Sequence, residues 1–287
     1  MQELLGRWDL TVGDASNSFP SWVELRANGG QFVGKVGSAR PLKSVKYTRD
    51  SVVFSLPPQY ESRTDNLVFQ GTLHREILSG TTVLEDGKVV TWTAKRAPAL
   101  PALQPDWREP VDLIQADLSN WALRSPDWES HWLIADGMLV NTAAGSDLIS
   151  KNKFGDFRLI AEYKYPAGSN SGIYLRGRYE FQIIDDFTSG ANQVGSSGAI
   201  YGFLAPTKNA IKPPEEWNTA EITLLGRFVT VKLNDEVIIE NQEIPGITGG
   251  ALDSDEGRPG PIFLQGDHGP VTFRKLALYN GVRPFSH

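Results

Sequence analysis

The amino-acid sequence predicts an all-β chain: a small N-terminal up-and-down meander closing into a barrel, then a two-sheet β-sandwich. Three observations carry this expectation. Apolar residues alternate with polar ones in short runs bounded by Gly, Asn and Asp turns. No helical periodicity alternates with the strands, as a parallel sheet would demand. Four prolines, Pro98, Pro101, Pro105 and Pro110, interrupt the pattern near residue 100.

The first run, Arg7-Trp8-Asp9-Leu10-Thr11-Val12, alternates and breaks at Gly13-Asp14. Residues 21–26 and 31–36 flank an Asn28-Gly29-Gly30 turn, of the type that closes hairpins. Residues 44–47, 51–56, 66–73 and 77–84 continue the series, and Glu85-Asp86-Gly87 turns it into 89–95. About eight short strands joined by tight turns suit a closed meander. Proline lacks an N–H and fixes φ, so residues 97–110 read as a stiff linker. The expected domains are therefore 1–96 and 111–287. Beyond the linker, 132–134 and 138–141 flank an Asp136-Gly137 turn, and 157–165 is expected to form a hairpin with 172–184. Segments 219–225, 228–233, 237–240, 262–265 and 271–279 complete the sandwich. Gly6-Arg7-Trp8 resembles the Gly-x-Trp opening of lipocalin-like barrels, which implies an accessory barrel.

The 287 residues are 40% apolar and 22% charged, a globular composition. A net charge of −6 offers no basic field for nucleic acid or anionic membrane, and no apolar run reaches the length of a membrane span. No cysteine is present, so disulfides and thiolate chemistry are excluded. Eight Trp, eight Tyr and thirteen Phe suit both core packing and stacking on the C–H face of a sugar ring.

The segment from Gly172 to Asp186 is the most informative. Read as one strand, it turns Ile173, Leu175, Tyr179, Phe181 and Ile183 to one face and Tyr174, Arg176, Arg178, Glu180 and Gln182 to the other. An aromatic, two guanidiniums, a carboxylate and an amide on one face are what a sugar-binding groove requires; the competing reading is a solvated outer face. In the expected hairpin, Glu162 would lie across from Tyr174 or Arg176 and orient Arg176.

Phe154-Gly155-Asp156-Phe157, Ser169 through Gly177, Tyr179-Glu180-Phe181-Gln182-Ile183, Glu216-Trp217-Asn218, Gly260 through Gln265 and Asp267-His268-Gly269 closely resemble the 3-keto-disaccharide hydrolase domain family. The likeness spans about residues 111–281. It implies a concanavalin-like jelly roll acting on glycosides already oxidised to a ketone at C3, by hydrolysis or by elimination. It also implies export, so a periplasmic or secreted protein is expected, although the few residues between Met1 and Gly6 leave no room for a signal peptide.

Ordinary glycosidases need two carboxylates, about 5–9.5 Å apart. Along this strand the next acid of matching parity after Glu180 is Asp186, about 20 Å away. A 3-keto sugar needs less, because the ketone acidifies the C2 proton and one base can remove it. Glu180 is the expected base, Arg176 the enolate stabiliser and His268 the proton donor to the leaving oxygen. Asn170, Gln182 and Gln265 would hold hydroxyls, and Tyr174 and Tyr201 would stack on the ring. No cofactor is required; a divalent metal on Asp185, Asp186 and His268 is an alternative. Without a dinucleotide fingerprint the chain cannot oxidise the sugar itself, so a separate sugar oxidoreductase is implied. The alternatives in function are a non-catalytic carbohydrate-binding protein and a two-carboxylate hydrolase of unoxidised sugar.

Overall fold

The structure, a computed structural model, describes residues 2–14, 17–190 and 192–282. The chain is all-β and divides into two compact units, Met1–Ala99 with Pro245–Gly257, and Leu100–Ile244 with Arg258–His287. No helix among the described residues is long and apolar enough to cross a membrane.

The first unit holds β1 (Gly6–Asp14), β2 (Asn17–Arg26), β3 (Gly29–Val33), β4 (Arg40–Pro41), β5 (Ser44–Tyr47), β6 (Ser51–Leu56), β7 (Leu67–His74), β8 (Ile77–Val83) and β9 (Val89–Arg96). They form one antiparallel sheet in the order β4-β3-β2-β1-β9-β8-β7-β6-β5. Its two edges follow one another in the chain, and consecutive residues stitch them. Leu42 N donates to Gly30 O on β3, and Lys43 N donates to Ser55 O on β6. Closure removes the exposed edges that a nine-stranded open sheet would carry. The alternation seen in the sequence fills the inside: Trp8, Leu10 and Val12 of β1 and Val90, Trp92 and Ala94 of β9 are buried. Gly71 is where it is because a Cβ there would lie 2.5 Å from the Trp92 indole.

The second unit opens with β10 (Asp106–Trp107) and β11 (Val111–Asp112). Next come β12 (Trp121–Leu123), β13 (Trp132–Ala135), β14 (Met138–Asn141), β15 (Leu148–Ser150), β16 (Asp156–Lys164), β17 (Asn170–Leu175) and β18 (Tyr179–Ile184). It closes with β19 (Asn218–Leu225), β20 (Phe228–Leu233), β21 (Glu236–Glu243), β22 (Phe263–Leu264) and β23 (Val271–Val282). One sheet runs β13-β14-β23-β16-β19-β20-β21, with β10 and β11 paired to β23; the other runs β12-β15-β22-β17-β18. Phe157, Leu159, Ala161 and Tyr163 of β16 are fully buried, as are Ile173, Leu175, Tyr179, Phe181 and Ile183 of the facing sheet. Tyr163 meets Phe181 edge-on at 6.3 Å, which places the β18 core face between the sheets.

Three expectations are corrected. Residues 97–110 are not a linker set apart from the folded units: from Leu100 on they belong to the second unit, where Asp106 and Trp107 pair with Val282 and Gly281, Arg108 N donates to Asn280 O, and Leu100 O accepts from Arg227 N. Proline lacks a donor, but its neighbours keep theirs, and edge positions tolerate it. The expected 157–184 hairpin does not form, because β16 and β17 belong to different sheets and residues 165–169 cross between them. Glu162 accordingly binds Arg274 at 2.6 Å and has no part in orienting Arg176. Finally, residues 172–184 are not one strand but a hairpin. Arg176 and Gly177 take φ of 54° and 68°, the consecutive positive values that tight hairpin turns require.

Candidate active site

The hairpin β17–β18 builds the site on the face of the five-stranded sheet that points away from the inter-sheet core. Tyr174 lies directly opposite Glu180, and Gly172 opposite Gln182. These four share a face, because their chain neighbours Ile173, Tyr179, Phe181 and Ile183 point into the core. On the other flank, Gln265 N donates to Gly172 O at 2.9 Å. Gly172 is thus a bare floor with Gln182 on one side and Gln265 on the other. A Cβ on Gly172 would fall 2.6 Å from Glu180 Oε1, so the missing side chain is what lets the carboxylate lie across β17.

Glu180 is 4% exposed and accepts a hydrogen bond from Tyr174 Oη at 2.9 Å. Burial raises its pKa to about 8, against the lowering effects of the Tyr174 hydroxyl and of the charge on His268. Tyr174 stacks on Phe263 at 4.2 Å with the rings 12° apart, and the Arg124 guanidinium sits 5.0 Å over the other aromatic, Phe263. Arg124 Nη1 reaches Asp147 Oδ2 at 3.4 Å, and Asp147 Oδ1 accepts from Gly266 N at 2.8 Å. Burial raises the Asp147 pKa, and the negative charge of Asp267 adds to it. His268 is half-exposed and its ring Nδ1 bonds the Asp267 carboxylate, a contact that raises the imidazole pKa. The loop carrying it is anchored from β14, where Asn141 Nδ2 donates to Gly266 O and Gly269 O at 3.2 and 3.0 Å.

Three amide oxygens around this floor have no hydrogen-bond partner among the described residues: Gln182 Oε1, Gln265 Oε1 and Asn170 Oδ1. Gln182 and Gln265 are 5% and 9% exposed. A buried acceptor without a donor costs about 1–3 kcal/mol, so three around one carboxylate form an unusual concentration of unmet acceptors. A polyol, rich in O–H donors, is the ligand class that meets them.

Of the residues expected in the site, Glu180, Tyr174, Gln182, Gln265, Asn170 and His268 gather here. Tyr201 is attached through its backbone, its N–H donating to Glu180 O at 2.9 Å. Arg176 does not belong. The positive φ in the turn resets the alternation, and its Nη2 donates to Gly226 O at 2.5 Å and to Tyr179 Oη at 3.4 Å. Arg178 likewise turns away, bonding Arg258 O at 2.8 Å. Strand-parity reasoning missed Arg124, Asp147, Phe263 and Asp267. The first three come from β12, β15 and β22 or their ends, and parity within a single strand carries no signal for them. Among the described residues no group of three or more His, Asp or Glu side chains is arranged to hold a metal ion, so Asp185, Asp186 and His268 are not brought together as ligands.

Residues 107–278 match the family described as the 3-keto-alpha-glucoside-1,2-lyase-like domain. A curated 3-keto-disaccharide hydrolase from Bacteroides thetaiotaomicron is 27% identical, in a match that covers 39% of this chain. The matched stretch spans half of that relative's length. A solved structure of a candidate glycosyl hydrolase from Parabacteroides distasonis is 27% identical, with a TM-score of 0.51 over 64% of this chain and 93% of that one.

Proposed function

This chain belongs to the 3-keto-alpha-glucoside-1,2-lyase-like domain family, and from that premise we propose that it cleaves 3-keto-glycosides by proton abstraction at C2. The observation that carries the reading is Glu180, a buried carboxylate held by the Tyr174 hydroxyl and set among three unmet amide acceptors. The acceptors suit sugar hydroxyls, and one carboxylate acting as base suits a substrate whose own ketone supplies the acidity.

In this mechanism ionised Glu180 takes the C2 proton. The electron pair moves onto the C3 oxygen as an enolate, then returns to form the C1–C2 double bond as the C1–O bond breaks. His268, protonated and held by Asp267, gives its proton to the departing oxygen. The product is an enone, and addition of water across its double bond makes the net reaction a hydrolysis. Arg124 replaces Arg176 as the cation available to the enolate, because Arg176 is committed to Gly226 O and Tyr179. Tyr174 holds the base in place through the 2.9 Å hydrogen bond. The ketone must come from a separate oxidation of the sugar upstream.

Asp147 is the specific observation that favours a second reading, an ordinary two-carboxylate hydrolase, since it supplies an acid missing from the β18 strand. Both of its oxygens are engaged, however, by Arg124 and Gly266 N, so it serves better as the anchor of Arg124. Incubation with an aryl 3-keto-glucoside and with its unoxidised parent separates the readings. Release of the aryl group from the ketone alone is expected; equal rates on both would overturn C2 abstraction.

A further inference from the structure

A cavity of about 220 Å³ opens at one end of the barrel in the first unit, remote in sequence from the family match at 107–278. Its floor is aromatic. Phe32 packs on Phe69 with ring centroids 4.9 Å apart, Phe69 stacks on Phe54 at 5.0 Å, and Phe19 and Leu84 complete the wall. The rim is charged, but most of its charges are already engaged. Arg63 holds Asp65 with two nitrogens and Val83 O with a third. Glu61 accepts from Arg40 and from Gln59 N, which keep it ionised with a pKa lowered to about 2 despite burial. Glu85 accepts from Ser62 N at 2.7 Å.

Lys35 differs. Its side chain is exposed at the rim, and its ammonium has no hydrogen-bond or ion-pair partner among the described residues. Its backbone is nevertheless fixed, because Lys35 O accepts from Gly250 N at 2.9 Å. Tyr60, which also lines the cavity, is 63% exposed, its ring lying 2.9 Å from where a Cβ on Gly37 would be. Gly37, at φ +86°, is the residue that admits it. An exposed aromatic, a Phe-lined floor and the Lys35 ammonium converge on a cavity of single-ring size.

We propose that this cavity is a second ligand site, which takes a single-ring aryl carboxylate with its ring on the phenylalanine floor and its carboxylate on Lys35. The volume suits this occupant: an apolar cavity of about 150 Å³ already accepts benzene, and the remainder admits a substituent. Ring packing among phenylalanines is favourable in offset-stacked and inclined geometries, and the floor already holds one stacked and one tilted pair. The carboxylate supplies a charge-assisted partner to the Lys35 ammonium.

Isothermal titration calorimetry on the full chain tests this with benzoate and with benzyl alcohol, which keeps the ring and lacks the charge. Benzoate is expected to bind saturably at one site, about tenfold more tightly than the alcohol. Lys35→Met, at an exposed position, should abolish that difference while leaving the alcohol's affinity unchanged. Glu180→Gln should leave benzoate binding intact, which separates this site from the one on β17–β18. Absence of saturable benzoate binding, undiminished binding in Lys35→Met, or loss of binding in Glu180→Gln would each overturn the proposal.

Discussion

Replacing Gly172 with alanine perturbs Glu180, the proposed base, without touching its chemistry. The added methyl would sit 2.6 Å from Glu180 Oε1, 3.0 Å from its Cγ and 3.2 Å from its Cδ. Restoring an ordinary contact of about 3.4 Å moves the carboxylate by about 0.8 Å, and the nearest atoms are a side-chain end and not backbone. The strand therefore survives while the carboxylate rotates off β17 and strains its hydrogen bond to Tyr174. A misplacement of about 1 Å in a reacting group costs about 10²-fold in rate. The assay is single-turnover cleavage of an aryl 3-keto-glucoside by wild type and Gly172→Ala, with thermal unfolding of both. We expect kcat to fall by about two orders of magnitude and Tm to move by only a few degrees. Turnover within twofold of wild type, with unchanged Tm, would refute the placement of Glu180 over Gly172.

Three further outcomes follow from the same geometry. Glu180 must be ionised and His268 protonated to act, so kcat/KM should pass through a bell-shaped pH profile; a flat profile between pH 6 and 9 would contradict it. The folded pKa of Glu180 lies above the unfolded value, so the folded state binds the proton more tightly and stability falls as pH rises between about 4.5 and 8. Unfolding scans should therefore show Glu180→Gln gaining stability over wild type at pH 8.5 relative to pH 5, and equal differences at both would remove the burial argument. Arg176→Lys should lower Tm through loss of the Gly226 and Tyr179 contacts while kcat stays near wild type, the reverse of what an enolate-stabilising residue would show.

Local alternation made the class of fold and one face of the site legible. In β1, β9 and β16 alternate apolar residues fill the core, Trp8, Leu10 and Val12 among them, and the same parity placed Glu180 with Tyr174 and Gln182. Parity failed where backbone conformation resets it. Leu175-Arg176-Gly177-Arg178 contains no Asn-Gly or Asp-Gly pair to announce a turn, yet Arg176 adopts a positive φ and its guanidinium leaves the groove. Alternation is also silent about which sheet a strand joins. An apolar face on residues 157–165 is satisfied equally by pairing with 172–184 or by packing against it, and the second is what occurs. Arg124 and Asp147 reach the site only because β12, β15 and β22 line up beside β17, through pairings such as Leu148 with Leu264 and Ile173 with Leu264 that join residues far apart in the sequence. The proline run marked a change of unit, but the pairing of Asp106 and Trp107 with the distant β23 had no local signature.

The central claim is that Glu180 is the base in cleavage of a 3-keto-glycoside, and Glu180→Gln tests it most directly. Glutamine keeps the size of the side chain and an acceptor for the Tyr174 hydroxyl, so the variant should fold and bind the 3-keto substrate with near wild-type affinity. Turnover of that substrate should fall by about 10²- to 10⁴-fold, the usual contribution of a positioned general base. A Glu180→Gln enzyme that binds the substrate and cleaves it at the wild-type rate would contradict the account.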